Sequence, residues 1–105
     1  MWTALKEAAL AAREVVVPTT VLAQVWRGQP SQARLAQALT FCVAGPFDRH
    51  ARAVGELCAR AKTADICDAH VVVLVRAGDV VYTSDPKDIR ALLVAARRTA
   101  VVLVC

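Results

Sequence analysis

The residues of this chain best suited to chemistry are two pairs of aspartates, each with a spacing of three. Asp65 and Asp68 lie at the predicted start of one helix, and Asp85 and Asp88 directly follow a predicted strand. In a parallel α/β sheet, the carboxyl ends of strands and the amino termini of the following helices lie at one edge, where ligands bind. We therefore expect both pairs at the same edge of the sheet.

A cluster of carboxylates with few lysines nearby is typical of a site for a hard divalent cation. Mg²⁺ and Mn²⁺ prefer oxygen ligands and are often held by a few carboxylates, water and substrate phosphate. Such an ion activates water and neutralises the charge that builds up on a phosphodiester. The pattern predicts an Mg²⁺ or Mn²⁺ site, with phosphodiester hydrolysis as the matching reaction class.

The same aspartates also fit a second interpretation, as helix caps. Aspartate is a preferred N-cap residue and stabilises the positive end of the helix dipole. Asp85, Pro86 and Asp88 suit the N-cap, N1 and N3 positions of one helix. Asp65 suits the N-cap of the other, with Asp68 in its first turn. Periodicity alone leaves capping and metal binding open.

The histidines and cysteines are weaker candidates for a functional site than the aspartates. His70, two residues after Asp68, is either a base of the site or a structural histidine, and the valines that follow it favour the structural role. The cysteines have no Cys-x-x-Cys spacing, which predicts small buried residues rather than zinc ligands or disulfides. They are Cys42, Cys58, Cys67 and Cys105.

Strands that alternate with helices predict the α/β domain that positions these residues. We expect one short parallel sheet that contains residues 15–17, 80–82 and 101–104, with a further strand over 41–43. Helices are predicted over 2–13, 18–27, 31–40 and 48–61, from residue 63 or 65 to 76, and from 85 onward, with Ser31 and Asp48 as caps. The expected buried residues are Leu22, Val25, Val71, Val72 and Val75.

Composition limits the class of protein. The chain has 105 residues, of which 57% are hydrophobic and 21% charged, so it suits one small folded domain and not a disordered chain. We expect a cytoplasmic protein without membrane contact, because we find neither a spanning segment nor a secretion signal. The net charge of +4 comes from scattered basic residues, which fit an ordinary surface or one that binds RNA or an acidic partner.

Residues 63–92 resemble the C-terminal half of PIN-domain proteins, especially the VapC-like toxins of toxin–antitoxin pairs. The segment Asp68-Ala69-His70-Val71-Val72 matches the family's acid-bearing helix, and Thr83-Ser84-Asp85 with Asp88-Ile89 matches its next acidic element. Residues 15–28, VVVPTTVLAQVWRG, resemble an earlier strand and helix of the family. The resemblance covers nearly the whole chain.

The resemblance implies a single three-layer PIN-like domain over residues 1–105, with a parallel sheet between helices. It implies a metal-dependent endoribonuclease with Mg²⁺ or Mn²⁺ as cofactor, RNA as substrate, a VapB-like antitoxin as partner, and often a homodimer. Carried over, Asp68 and Asp85 are the catalytic, metal-binding acids. Asp88 is a supporting acid or cap, and Asp65 stands near enough to hold a metal-bound water.

Two departures from the family pattern weaken this expectation. The family's first, central strand, which ends in an acid, has no counterpart before residue 2, so the domain looks N-terminally truncated and the strands near Val16 and Val81 should border a gap. The family's Glu position is occupied by Gln24, which is neutral. Three hypotheses follow: a weakened metal-dependent ribonuclease, an inactive PIN-like domain that binds RNA or a partner, and a structural α/β fragment whose acids are caps.

Overall fold

The computed structural model describes residue 6 and residues 13–104, which form a mixed α/β structure. The predicted helix over residues 2–13 lies almost entirely outside the described residues. In chain order the elements are β1 (Val16–Pro18), α1 (Thr19–Val25), α2 (Ala33–Leu39), β2 (Val43–Gly45), α3 (Ala51–Ala61), α4 (Ile66–Val73), β3 (Val80–Thr83), α5 (Pro86–Ala96) and β4 (Val101–Val104). No helix in this described part is long and apolar enough to cross a bilayer.

The strands form two separate parallel pairs. β1 pairs with β2, with Val16 opposite Val43, and β3 pairs with β4, with Val80 opposite Val101. The prediction of one sheet that joins β1 to β3 and β4 was therefore wrong: among the described residues, no strand bridges the two pairs. Helices flank both pairs, as expected of an α/β structure.

Several predicted boundaries are corrected. β1 lies one residue later than predicted and β2 two residues later, and the helices of 18–27 and 65–76 end early, at Val25 and Val73. Ser31 and Asp48 do not cap α-helices. Each lies inside a short 3-10 helix, Pro30–Gln32 or Asp48–His50, that leads directly into the α-helix after it.

The main hydrophobic core lies between α3, α4, α5 and β3. Of the residues expected to be buried, Val72 and Val75 are buried, Leu22 and Val71 are half-buried, and Val25 is 43% exposed. The prediction for Val25 was wrong because it ends a short helix outside this core. The core residues are Val54, Leu57, Ala69, Val72, Val75, Val81, Ile89, Leu92 and Leu93.

An arginine fixes the carboxyl end of α4. The Arg98 guanidinium donates hydrogen bonds to the carbonyl oxygens of Val73 (2.6 Å) and Val75 (3.0 Å). Carbonyls at the end of a helix lack partners within the helix, and a cation there also interacts favourably with the helix dipole. The segment before β4 is thereby tied to the helix that carries Asp68.

A close approach at Gly45 brings β2 against α4. A Cβ atom at this position would lie 2.6 Å from Leu74 Cδ1 and 3.0 Å from Val16 Cγ1. We expect Gly45→Ala to lower the free energy of unfolding by about 1–3 kcal/mol, since overpacking forces neighbouring groups to shift. Denaturant unfolding measures this loss.

Gly55 provides the control, because it lies within α3 and a Cβ atom at this position would point into open space. Gly55→Ala should stabilise the protein by about 0.5–1 kcal/mol through helix propensity. Adding Leu74→Ala to Gly45→Ala should cost less than the sum of the single changes, as the clash is relieved. Strict additivity would contradict the steric explanation.

Candidate metal site

Three of the predicted acids come together in the structure. Asp68 lies in the first turn of α4, Asp85 directly precedes α5, and Asp88 lies in the first turn of α5. One carboxylate oxygen from each lies within 4.8 Å of the other two. Asp68 is half-buried, whereas Asp85 and Asp88 are exposed. We call these three residues the acidic triad.

Both helix starts are built from the same local pattern, Thr-x-Asp-x-x-Asp. The hydroxyl of Thr63 accepts a hydrogen bond from the Asp65 amide (3.2 Å), and the hydroxyl of Thr83 accepts one from the Asp85 amide (3.0 Å). Threonine hydroxyls commonly hold such turns. Sequence reasoning missed the structural role of both threonines, although the repeated pattern was a readable signal.

The two helix starts nevertheless use their first aspartate differently. Asp65 Oδ1 accepts a hydrogen bond from the Asp68 amide (3.0 Å), so Asp65 is a true N-cap. Asp85 occupies the N-cap position of α5 but its side chain makes no capping hydrogen bond. The capping interpretation therefore describes Asp65, which lies outside the triad, and does not account for Asp85.

The surroundings of Asp68 and Asp85 raise the pKa of both carboxyl groups. Partial burial, together with the negative charges of Asp65, Asp85 and Asp88, raises the pKa of Asp68 to about 6. A hydrogen bond with Asp88 and the charge of that residue raise the pKa of Asp85. Carboxylates that repel one another in this way are stabilised by a cation placed between them.

The dimensions of the triad suit a small divalent ion. Oxygens bound to an octahedral Mg²⁺ at ~2.1 Å lie roughly 3 Å apart when adjacent and roughly 4.2 Å apart when opposite. The three oxygens of the triad lie within 4.8 Å of one another, which is a spread of comparable size.

His70 is not placed as a base of the site. Its side chain is fully buried, and its ring nitrogens lie 2.7 Å from Thr20 Oγ1 and 3.2 Å from the Pro46 carbonyl oxygen. Burial lowers the pKa of His70, which favours the neutral ring. The structural interpretation of this histidine is the one that the contacts support.

Gln24 is exposed in the last turn of α1, a helix that packs against α4. It lies four residues after Thr20, whose hydroxyl contacts His70 of α4. Because residues four apart share one face of a helix, Gln24 lies on the face of α1 directed toward the helix that carries Asp68.

The three cysteines within residues 13–104 are less buried than expected, and Cys105 lies outside the described residues. Cys42, Cys58 and Cys67 are free and half-buried, and the Cys67 thiol lies 3.6 Å from the Thr20 carbonyl oxygen, to which it donates. Burial raises the pKa of the Cys67 and Cys42 thiols, which keeps both protonated at neutral pH. They act as small packing residues.

In comparisons of the chain with protein-family models, curated proteins and solved structures, nothing matched. The resemblance to PIN-domain proteins therefore stays a prediction that rests on residues 15–28 and 63–92.

Proposed function

We propose that this chain binds Mg²⁺ or Mn²⁺ through Asp68, Asp85 and Asp88 and uses the ion to hydrolyse RNA phosphodiester bonds. The observation that carries the proposal is the meeting of three carboxylates from two helix starts, one of them, Asp85, without a capping role. Acids placed this close repel one another, so the arrangement is costly without a cation.

The residues of the acidic triad and Asp65 have different roles in the proposed site. Asp68 is the most buried of the triad and would give the least mobile ligand, while Asp85 and Asp88 would hold the ion from its open side. Asp65 keeps its carboxylate on the Asp68 amide and so orients the first turn of α4. When bound, the ion supplies charge neutralisation and activation of water.

The family resemblance supports the choice of RNA as substrate. It adds a VapB-like antitoxin and a homodimer to the proposal, as partners typical of PIN-domain toxins. The cytoplasm is the compartment in which such a ribonuclease would act.

A second candidate is an inactive PIN-like domain that binds RNA or a protein partner without cleavage. The neutral Gln24, where the family has Glu, favours it, because each missing charge weakens attraction for a divalent ion. Surface arginines would still allow phosphate contacts that need no metal.

An RNA cleavage assay separates the candidates. With Mn²⁺ we expect slow cleavage by the unmodified chain, because the site has fewer carboxylates than the family pattern. We expect no cleavage after chelation of the metal or in Asp68→Ala. Glu56→Ala, which removes an exposed acid of α3, should behave as wild type. RNA binding without cleavage under all conditions would support the inactive RNA- or partner-binding domain. If Asp68→Ala binds and cleaves RNA as well as the wild type does, the proposed metal site is rejected.

A further inference from the structure

The described chain divides into two halves of unequal internal packing. All nine residues of the main hydrophobic core belong to residues 51–104, which we call the C-terminal half. In residues 16–45, the N-terminal half, only Pro18, Ala38 and Gly45 are buried. Two-stranded sheets are marginal on their own, and β1 and β2 have three residues each. The N-terminal half therefore depends on docking against its neighbour.

The docking runs mainly through α4. This helix packs against β1 and α1 of the N-terminal half and against α3 and α5 of its own half. At the centre of the contact is His70, the one fully buried polar side chain among residues 13–104. Phe47 packs edge-on against its ring, with the ring centres 5.3 Å apart.

The hydrogen bonds of His70 link three separate segments. The Pro46 carbonyl can only accept, so Nε2 carries the proton and donates to it over 3.2 Å. Nδ1 of the neutral ring must then accept, and the Thr20 hydroxyl donates to it over 2.7 Å. Thr20 lies in the first turn of α1 and Pro46 directly follows β2. One side chain thus joins both ends of the N-terminal half to α4.

We propose that His70, Thr20 and the Pro46 carbonyl form a latch that holds the N-terminal half against α4, and that this half opens as a unit while the C-terminal half stays folded. Breaking either hydrogen bond leaves a buried polar atom unpaired, which favours the opened state in which water reaches it. The opening moves α1, which carries Gln24, away from α4. This inference does not depend on the proposed function.

Native-state hydrogen exchange on the full chain, at fixed pH and rising low concentrations of denaturant, tests the latch. In the unmodified protein, amides of residues 16, 17, 19–25 and 43–45 should exchange through an opening of lower free energy and smaller denaturant dependence than amides of α3 and α5. Exchange of both halves through a single opening of equal denaturant dependence would overturn the proposal.

Variants of the latch sharpen the test. Thr20→Val keeps the shape but removes the donor, and should accelerate exchange in the N-terminal half by about 5- to 150-fold with little change in α3 and α5. Thr20→Ser, which keeps the hydroxyl, and Thr19→Val, the neighbouring change, should both stay near wild type. Equal acceleration of both halves, complete unfolding of Thr20→Val, or no change in either half would each contradict the latch.

Discussion

Replacing Asp68 by alanine is expected to weaken Mn²⁺ binding by at least about 100-fold. Loss of an outer-shell partner alone costs about 10- to 100-fold in metal affinity, and Asp68 is placed to be a direct ligand. It is also the most buried acid of the triad, so its charge is the least screened by water. Calorimetric titration with Mn²⁺ measures the effect.

Two further variants make this titration decisive. Glu56→Ala removes one negative charge from an exposed position of α3 and should leave the affinity nearly unchanged. Gln24→Glu should tighten binding, because it adds a charge on the face of α1 directed toward α4. Equal Mn²⁺ affinity of the wild type, Asp68→Ala and Gln24→Glu would reject the proposed metal site. Tighter binding without faster RNA cleavage in Gln24→Glu would show that a further acid is still lacking.

The second large effect expected is a steep dependence of metal binding on pH. The pKa of Asp68 is raised to about 6, so a proton must leave this carboxyl before a cation can bind to it at lower pH. The Mn²⁺ association constant should therefore rise about tenfold for each pH unit below ~6 and level off above ~7. Titrations across this range, at constant ionic strength, measure the slope.

The metal-free protein should respond to pH with the opposite sign. The pKa of Asp68 in the folded protein, about 6, lies above the ordinary aspartate value of 3.8, so the folded state holds the proton more tightly than the unfolded chain does. The contribution of Asp68 to the free energy of unfolding is greatest below about pH 4 and is lost as the pH rises toward about 6. Asp68→Asn should remove this contribution to the pH dependence of the free energy of unfolding. It should also flatten the pH dependence of Mn²⁺ binding. If the pH dependence of Mn²⁺ binding survives in Asp68→Asn, another group controls binding.

Local chemistry made much of the second half of the chain predictable from sequence. Pro86 after Asp85 specifies a helix start. The strand predicted over 101–104 has those bounds in the structure, and the strand predicted over 80–82 extends by one residue to Thr83. These signals depend on residues only a few positions apart. Two of the boundaries that failed, at Ser31 and Asp48, lie where a 3-10 helix precedes the α-helix. The type of the capping residue alone does not distinguish these two kinds of helix.

The sequence by itself determined which acids were available and that each pair would open a helix. Only the tertiary structure decided that Asp85 joins Asp68 while Asp65 remains a cap, since that choice depends on how α4 packs against α5. The same holds for His70, whose hydrogen-bond partners lie 50 and 24 residues away along the chain. It also holds for the two strand pairs, because pairing between distant strands depends on what lies beside each edge, and local propensity carries no information about that.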